Sequence, residues 1–361
     1  MTRLAYLTVA CDTDPDINPP YREPPGDHQD IWQGILVGLP ALRRRLNELS
    51  FLSGYSQFPI TWLLRSDRQI YELYQDAAFC FKRFEKTWRR EQEQHGSEIG
   101  WHPHLYRWNE RKEKWTEYLG EDEDIEILKH CLESLRRCID ISAVRTGWVY
   151  HSNRLMNFFD NEGLLVDVSA IPGTAQSKFW YHGRFLNCYH DWRGAPRMPF
   201  FPSKVDYRRR AKPDESSLSI LEMPVIVRRL NVWLQLSRYG LHKLRMLRSN
   251  SVNYSDWGSL GYQGVLLSGK TRPFNEAVKQ TLTAAIHHQT VFVNTYFHTD
   301  DLLSATLVEN FMRNLESIFH LSEQMGWTVV PTTLSKAASI IKSEMISRQT
   351  VSGLVNVAES K

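Results

Sequence analysis

Residues 98–104 read EIGWHPH, which predicts a β-strand that ends in two histidines, His102 and His104. Because successive side chains of a strand point to opposite faces, residues i and i+2 share a face. The two imidazoles can therefore converge on one point, and imidazole is a common ligand of transition metals in proteins. The stretch predicts half of a metal site, and the remaining ligands must come from elsewhere in the chain.

A cluster of carboxylates follows an apolar stretch near the amino terminus. Residues 4–10 form a continuous apolar run, which is typical of a strand buried on both faces. The run is followed by Asp12, Asp14 and Asp16. Carboxylates this close repel one another unless a cation or hydrogen bonds stabilise them. We interpret this cluster as a functional site, with an Asp-Pro turn as the alternative.

The same pattern, an apolar run that ends in polar residues, recurs along the chain. Seven runs predict strands that alternate with helices, at residues 4–10, 59–64, 98–102, 143–148, 164–169, 218–227 and 291–297. The polar residues at these strand ends are Asp12, Asp67, His102, Arg145 and His298. The alternation predicts a parallel α/β fold, either a barrel or a doubly wound sheet. A barrel would collect these residues on one face, and no glycine-rich phosphate loop supports a nucleotide-binding sheet.

The composition is typical of a soluble globular protein and excludes several functional classes. The chain has 361 residues, of which 42% are hydrophobic and 24% are charged. Its formal net charge of +3 is too small to indicate a nucleic-acid partner. No apolar run is long enough for a membrane span and the amino terminus lacks a signal-peptide pattern, so we expect a cytoplasmic protein. The five cysteines have no disulfide-framework spacing and are expected to be reduced.

One segment interrupts the alternation of strands and helices. Residues 171–217 are dense in aromatic residues, Pro and Gly, which favours a binding lid over a structureless gap. We expect one catalytic barrel domain over residues 1–340, with this segment inserted, and a C-terminal helix and tail over residues 341–361. The sequence leaves the oligomeric state open. Three histidines without motif context are expected at the surface: His151, His287 and His288.

Motifs in this order resemble those of the polysaccharide deacetylases, the NodB-like group of carbohydrate esterases, in an outlying, non-secreted branch. The matching stretches are Asp12-Thr13-Asp14, EIGWHPH at 98–104, Arg145-Thr146-Gly147-Trp148, DVSAIPG at 167–173, LEMP at 221–224 and Tyr296-Phe297-His298. They are spread over nearly the whole chain. The resemblance implies a distorted (β/α)7 barrel and metal-dependent removal of the acetyl group from an N-acetylated sugar.

Two positions depart from the pattern of that family. Its adjacent aspartates are separated here by Thr13. Its usual histidine spacing is four, whereas the spacing here is two and Tyr106 stands where the second histidine would be. His104 must therefore serve as the second histidine ligand if a metal is bound.

Hydrolysis of an acetamide requires an activated water, charge stabilisation and an acid for the departing amine. We expect a divalent metal ion on Asp14, His102 and His104, with a further position open for water or substrate. Two histidines and one carboxylate suit Zn, which we favour, but also Co, Ni, Mn or Fe. Such an ion lowers the pKa of water and polarises the carbonyl group.

The remaining roles fall to the other polar residues at the strand ends. Asp12 is the expected base, kept ionised and oriented by Arg145, although Asp12 and Asp14 can exchange roles because Thr13 makes the alignment ambiguous. His298 is expected to protonate the departing nitrogen. The candidates for substrate contacts are Asp67, Asp191 and Trp192.

Two other functions remain open from the sequence. The same site could hydrolyse an amide that is not a sugar, because nothing in the sequence identifies a sugar ring. Alternatively, the barrel could bind a glycan or a partner protein without turnover. The separated aspartates and the altered histidine spacing are the reasons for this hypothesis. Metal content distinguishes the binding protein from the two hydrolases.

Overall fold

The computed structural model describes residues 2–17, 22, 31–52, 54–55, 57–117, 122–176, 179–181, 184–186, 190–231, 233 and 261–345. Its centre is one parallel sheet. The strands of this sheet are β1 (Arg3–Thr13), β2 (Thr61–Arg65), β3 (Glu98–His102), β4 (Ala143–Val144), β5 (Val166–Asp167), β6 (Leu221–Glu222), β7 (Thr290–His298) and β8 (Trp327–Thr332). The order is β6-β5-β4-β3-β2-β1-β7, and β8 also pairs with β1.

The register of the sheet places several polar residues at the same end. Asp12 lies opposite His298 on the neighbouring strand β7. Arg65, the last residue of β2, lies opposite His102, the last residue of β3. Because the strands are parallel, their carboxyl ends meet at one end of the sheet.

The sheet curls into a half-barrel, and the segment that follows β6 connects its two outer strands. The N–H group of Ile226 donates to the C=O group of Asn294 on β7 at 2.9 Å. The Asn294 side-chain amide donates to the C=O group of Met223 at 2.8 Å. The predicted distorted (β/α)7 barrel is therefore confirmed, with an irregular closure between its first and last strands in the sheet order.

The described residues form helices as well as this sheet. The helices are α1 (Leu39–Asn47), α2 (Arg68–Tyr74), α3 (Phe79–Arg83), α4 (Glu85–His95), α5 (Asp122–Arg136), α6 (Asn153–Asn161), α7 (Thr271–Ala284), α8 (Ala305–Gln324) and α9 (334–345). A π-helix, Gly34–Gly38, precedes α1. No helix within the described ranges combines the length and the apolar character that crossing a bilayer requires.

Three sequence expectations need correction. The charged stretch 76–95 predicts a single long helix, which is wrong, because the chain is broken at Phe84, whose φ of −112° and ψ of 23° are not helical. Strand β8 is an eighth strand, which the seven apolar runs do not include. His151 is not at the surface: it is buried, and its Nε2 lies 2.6 Å from Asp167 Oδ2. His287 and His288 are exposed, as expected.

The amino-terminal end of the barrel is closed by α9. The N–H group of Leu334 donates to Thr61 Oγ1, at the first residue of β2, at 3.2 Å. The buried face of α9 packs against the residues that fill the barrel, with Leu334, Ala337, Ala338 and Ile341 on α9 and Ala10, Leu63 and Ala143 among the barrel residues. Helix α9 begins at residue 334, before the expected boundary at 341, and residues 346–361 of the expected helix and tail lie outside the described residues.

The described part of the segment 171–217 forms short antiparallel pairs and joins the edge of the main sheet, where Phe200 bridges Glu222 of β6. Ala175–Gln176 pairs with His190–Asp191, and Phe179–Tyr181 pairs with Arg184–Leu186. The remainder is anchored by buried aromatic residues such as Tyr207. Parts of this expected lid, at 177–178, 182–183 and 187–189, lie outside the described residues, and a lid function stays a prediction.

Candidate metal centre

The structure brings the three expected metal ligands together. Asp14 Oδ2 lies 3.5 Å from His102 Nε2, and Asp14 Oδ1 lies 3.3 Å from His104 Nε2. The two Nε2 atoms are 3.2 Å apart. Two donors that each lie 2.0–2.1 Å from a tetrahedral zinc ion are roughly 3.4 Å from one another. The donor atoms therefore have the spacing that a small divalent ion requires, and the residues present fit such an ion.

His102 is held in the tautomer that a metal ligand needs. Its Nδ1 atom lies 2.7 Å from the C=O group of Arg145, and since a carbonyl group can only accept, Nδ1 carries the hydrogen. In the neutral imidazole, Nε2 is then unprotonated and directs its lone pair toward Asp14 and His104. A hydrogen bond on the far nitrogen is the usual support of a metal-binding histidine.

His104 lies two residues beyond the end of β3, and three neighbours fix it. Its N–H group donates to Asp67 Oδ2 at 3.0 Å, and its ring stacks on Tyr106 with ring centroids 5.0 Å apart. Gly147 makes room for the ring, because a β-carbon at that position would lie 2.2 Å from it. Burial, together with the charge of Arg65, lowers the pKa of His104 to about 4. The imidazole is therefore neutral at physiological pH and able to bind a cation.

Asp12 and Arg145 form a buried ion pair beside the ligand cluster. The guanidinium group of Arg145 donates to Asp12 Oδ2 and lies over the ring of Tyr296, 3.5 Å from its centroid. Asp12 Oδ1 is buried and has no hydrogen-bond partner within the part of the chain that the structure describes. It lies 3.8 Å from His102 Nδ1. This arrangement leaves one oxygen of the Asp12 carboxylate available to accept a hydrogen bond or a proton.

His298 completes the cluster from the end of β7. Its Nε2 lies 3.6 Å from Asp12 Oδ2, its Nδ1 lies 3.7 Å from Asp301 Oδ2, and its main-chain N–H group donates to the same Asp301 oxygen at 3.0 Å. Burial by itself would lower the pKa of His298, but the side-chain interaction with Asp301 and the charges of Asp12, Asp301 and Asp14 raise it to about 9. The side chain is 32% exposed. His298 is therefore a protonated imidazole at the open edge of the cluster.

The remaining candidates lie in different surroundings. Asp67 is fully buried behind His104, where its Oδ1 also caps α2 by accepting from the N–H group of Ile70 at 3.1 Å. Asp191 is paired with Arg193 and Arg208, and hydrogen bonding from Arg193 lowers its pKa to about 2.

Trp192 is fully buried, and its Nε1 donates to the C=O group of Val149 at 3.1 Å. The contacts that the structure describes for Asp191 and Trp192 are thus with residues outside the metal-ligand cluster. A substrate contact by either residue stays a prediction.

Sequence reasoning missed several residues that shape the site. Arg65 donates to Asp14 Oδ1 at 2.6 Å, Asp301 holds His298, and Gly147 accommodates His104. Arg65 carries the same signal as the chosen residues, since it ends a buried strand. Asp301 could have been found as an acidic neighbour of His298 in the sequence, whereas the need for a glycine at 147 depends on a contact between distant segments.

Comparison with solved structures finds a protein from Parabacteroides distasonis that is provisionally described as a glycoside hydrolase/deacetylase. The two sequences are 14% identical, and the TM-score is 0.53. The match covers 95% of this chain and 71% of that chain. Another is a polysaccharide deacetylase, so described provisionally, from Mycobacterium smegmatis, with 14% identity, a TM-score of 0.46, and 96% and 92% of the two chains covered. The chain has the polysaccharide deacetylase fold. No family model matches the chain, and no curated protein matches it. The deacetylase fold thus agrees with the resemblance of the motifs, while the activity depends on the site itself.

Proposed function

We propose that the protein is a metal-dependent hydrolase that removes the acetyl group from an N-acetylated sugar. The observation that carries the proposal is the convergence of Asp14, His102 and His104 at tetrahedral spacing, next to a buried carboxylate and a cationic histidine. The donor set favours zinc, with Co, Ni, Mn and Fe as other ions compatible with it. The polysaccharide deacetylase fold and the order of the motifs support a carbohydrate substrate.

The residues around the ligand set supply proton transfer. A bound divalent ion would supply Lewis acidity, lowering the pKa of water and polarising the acetamide carbonyl group. Asp12 accepts the proton of the attacking water through Oδ1, because the guanidinium group of Arg145 occupies Oδ2 and orients the carboxylate. His298, whose Nε2 lies 3.6 Å from Asp12 Oδ2, donates a proton to the departing nitrogen at the partly exposed edge of the site.

The test combines metal analysis with an acetate-release assay. We expect about one equivalent of metal in the wild-type protein, none in His102→Ala, and full content in His320→Ala, which alters an exposed histidine on α8. Asp12→Asn should keep the metal but lose at least about 100-fold in kcat, because removal of a general base costs about that factor. Asp14→Asn should lose metal affinity, which separates the two aspartates.

Substrate class is tested with the wild-type protein on N-acetylglucosamine oligomers and on acetamides without a sugar ring. Acetate release from the oligomers alone supports the proposal. Release only from the other acetamides would identify an amidase instead. Bound metal without hydrolysis of either class, or no metal after reconstitution, would favour the barrel that binds without turnover.

A further inference from the structure

Arg65 links three acceptors behind the ligand cluster. It is buried, with 3% of its surface exposed, and it ends strand β2 opposite His102. Its Nη1 donates to Asp14 Oδ1 at 2.6 Å, its Nη2 donates to Gln69 Oε1 at 2.7 Å, and its Nε donates to Asp67 Oδ2. The guanidinium group also lies over the ring of Tyr106, at 5.4 Å. A planar group with five donors in a fixed arrangement can satisfy such divergent acceptors, which a lysine cannot do.

Arg65 is linked to His104 through a shared hydrogen-bond acceptor, the carboxylate of Asp67. The Asp67 Oδ2 atom that accepts from Arg65 also accepts from the N–H group of His104. His104 lies past the last residue of β3, where the register with β2 has ended, so the strand ladder does not hold it. Tyr106, under the Arg65 guanidinium, stacks on the His104 ring with an interplanar angle of 13°.

We propose that Arg65 is the positioning residue that makes a histidine pair spaced by two residues an effective ligand set. It orients the carboxylate of Asp14 directly and the main chain of His104 through Asp67. A carboxylate has about four lone-pair sites, so the hydrogen bond from Arg65 leaves Asp14 free to bind an ion as well. The proposal rests on the proposed metal site but requires no knowledge of the substrate.

The arrangement accounts for the altered histidine spacing in physical terms. A second histidine four residues after the first would occupy position 106, which here holds the tyrosine that stacks on His104. A histidine just past a strand end has more backbone freedom than one held by regular secondary structure. The Arg65–Asp67 pair removes that freedom before the ion arrives, and such outer contacts typically change metal affinity by about 10- to 100-fold.

The test measures Co²⁺ binding to the metal-free protein by visible absorption, with thermal unfolding of the same samples. We expect Arg65→Lys to weaken Co²⁺ binding at least about tenfold and to change the absorption spectrum, because the ligand geometry is altered. The matched control is Arg43→Lys, since Arg43 is another buried arginine and is paired with Glu91 on α4, away from the cluster. This control should lower the Tm but leave the Co²⁺ affinity and spectrum unchanged.

A second variant keeps the proposal testable if Arg65→Lys does not fold. Asp67→Asn retains an oxygen to cap α2 but loses the ion pair with Arg65, and we expect weaker Co²⁺ binding with the direct Arg65–Asp14 contact intact. If the folded Arg65→Lys protein has wild-type Co²⁺ affinity and spectrum, the inference about Arg65 is wrong. The same holds for Asp67→Asn when only that variant folds. Either result would leave the proposed metal site intact. No Co²⁺ binding by the wild-type protein would overturn both the inference and the proposed metal site.

Discussion

Gly147 lies against the imidazole of His104, and its lack of a side chain leaves room for that ring in the candidate metal centre. A β-carbon there would lie 2.2 Å from three atoms of the His104 imidazole, well inside van der Waals contact. We expect Gly147→Ala to displace the His104 ring and to weaken metal binding by at least about tenfold, as loss of a ligand's support does. Metal titration of the folded variant checks this, with unchanged affinity as the contradicting result. Gly54→Ala is the control for a glycine replacement, since no atom lies within 4 Å of a β-carbon at Gly54.

The charge of His298 should make the stability of the metal-free protein depend on pH. The hydrogen bond and carboxylates around it outweigh burial and raise its pKa to about 9, above the unfolded value of about 6.5. A histidine with a raised pKa contributes stability that is fully present below pH 6.5 and is lost as the pH rises through 9. Urea unfolding from pH 6 to 10 should show this loss in the wild-type protein and a shallower slope in His298→Gln. Parallel curves would contradict the assignment.

At the scale of secondary structure, helix α6 packs its Phe159 ring against Trp101 of strand β3. Ser152 caps this helix, because its Oγ accepts from the N–H group of Leu155 at 3.1 Å. We expect Ser152→Ala to lower the free energy of unfolding by about 1 kcal/mol, the usual effect of removing such a cap. Because the cap lies outside the ligand cluster, metal affinity should not change. Chemical denaturation together with metal titration tests both statements, and a loss of affinity would show that α6 is coupled to the site.

The elements also show where sequence reasoning succeeds and where it fails. The apolar runs that became β1, β2, β3 and β7 were recognisable because strands buried on both faces are continuously apolar. The break at Phe84 was not recognisable, since Phe is compatible with a helix and its non-helical backbone is a property of the folded chain. Strand β8 is specified by its pairing with β1, a contact between residues more than 300 positions apart.

At the scale of the whole molecule, α9 seals the barrel at the end opposite the metal cluster. Leu334 is fully buried against residues that fill the barrel. We expect Leu334→Ala to lower the free energy of unfolding by about 2–5 kcal/mol, since it leaves a cavity in the core. Metal affinity in the folded protein should be retained. Denaturation at neutral pH measures the loss, and a change below about 1 kcal/mol would show that α9 is not an integral part of the barrel core.

The sequence by itself determined the fold class and the positions of the polar residues. Apolar runs predicted seven of the eight strands in the main sheet. Because parallel strands place their carboxyl ends at one end of the sheet, Asp12, Asp14, His102, Arg145 and His298 could be grouped in advance. A local sequence pattern is sufficient for this grouping, because the face to which a side chain points depends only on its position along its own strand.

Only the tertiary structure decided how the unusual histidine pair can bind a cation. The contacts of His104 with Asp67 and Gly147, and of Arg65 with Asp14, join segments that are 37 to 51 residues apart. No pattern within one segment specifies them, because each depends on how neighbouring strands of the barrel are aligned. The tertiary structure likewise determined that Asp67 supports His104 from behind and that His151 is buried beside Asp167. In each case, burial removed water as the alternative partner and left a neighbouring side chain to take its place.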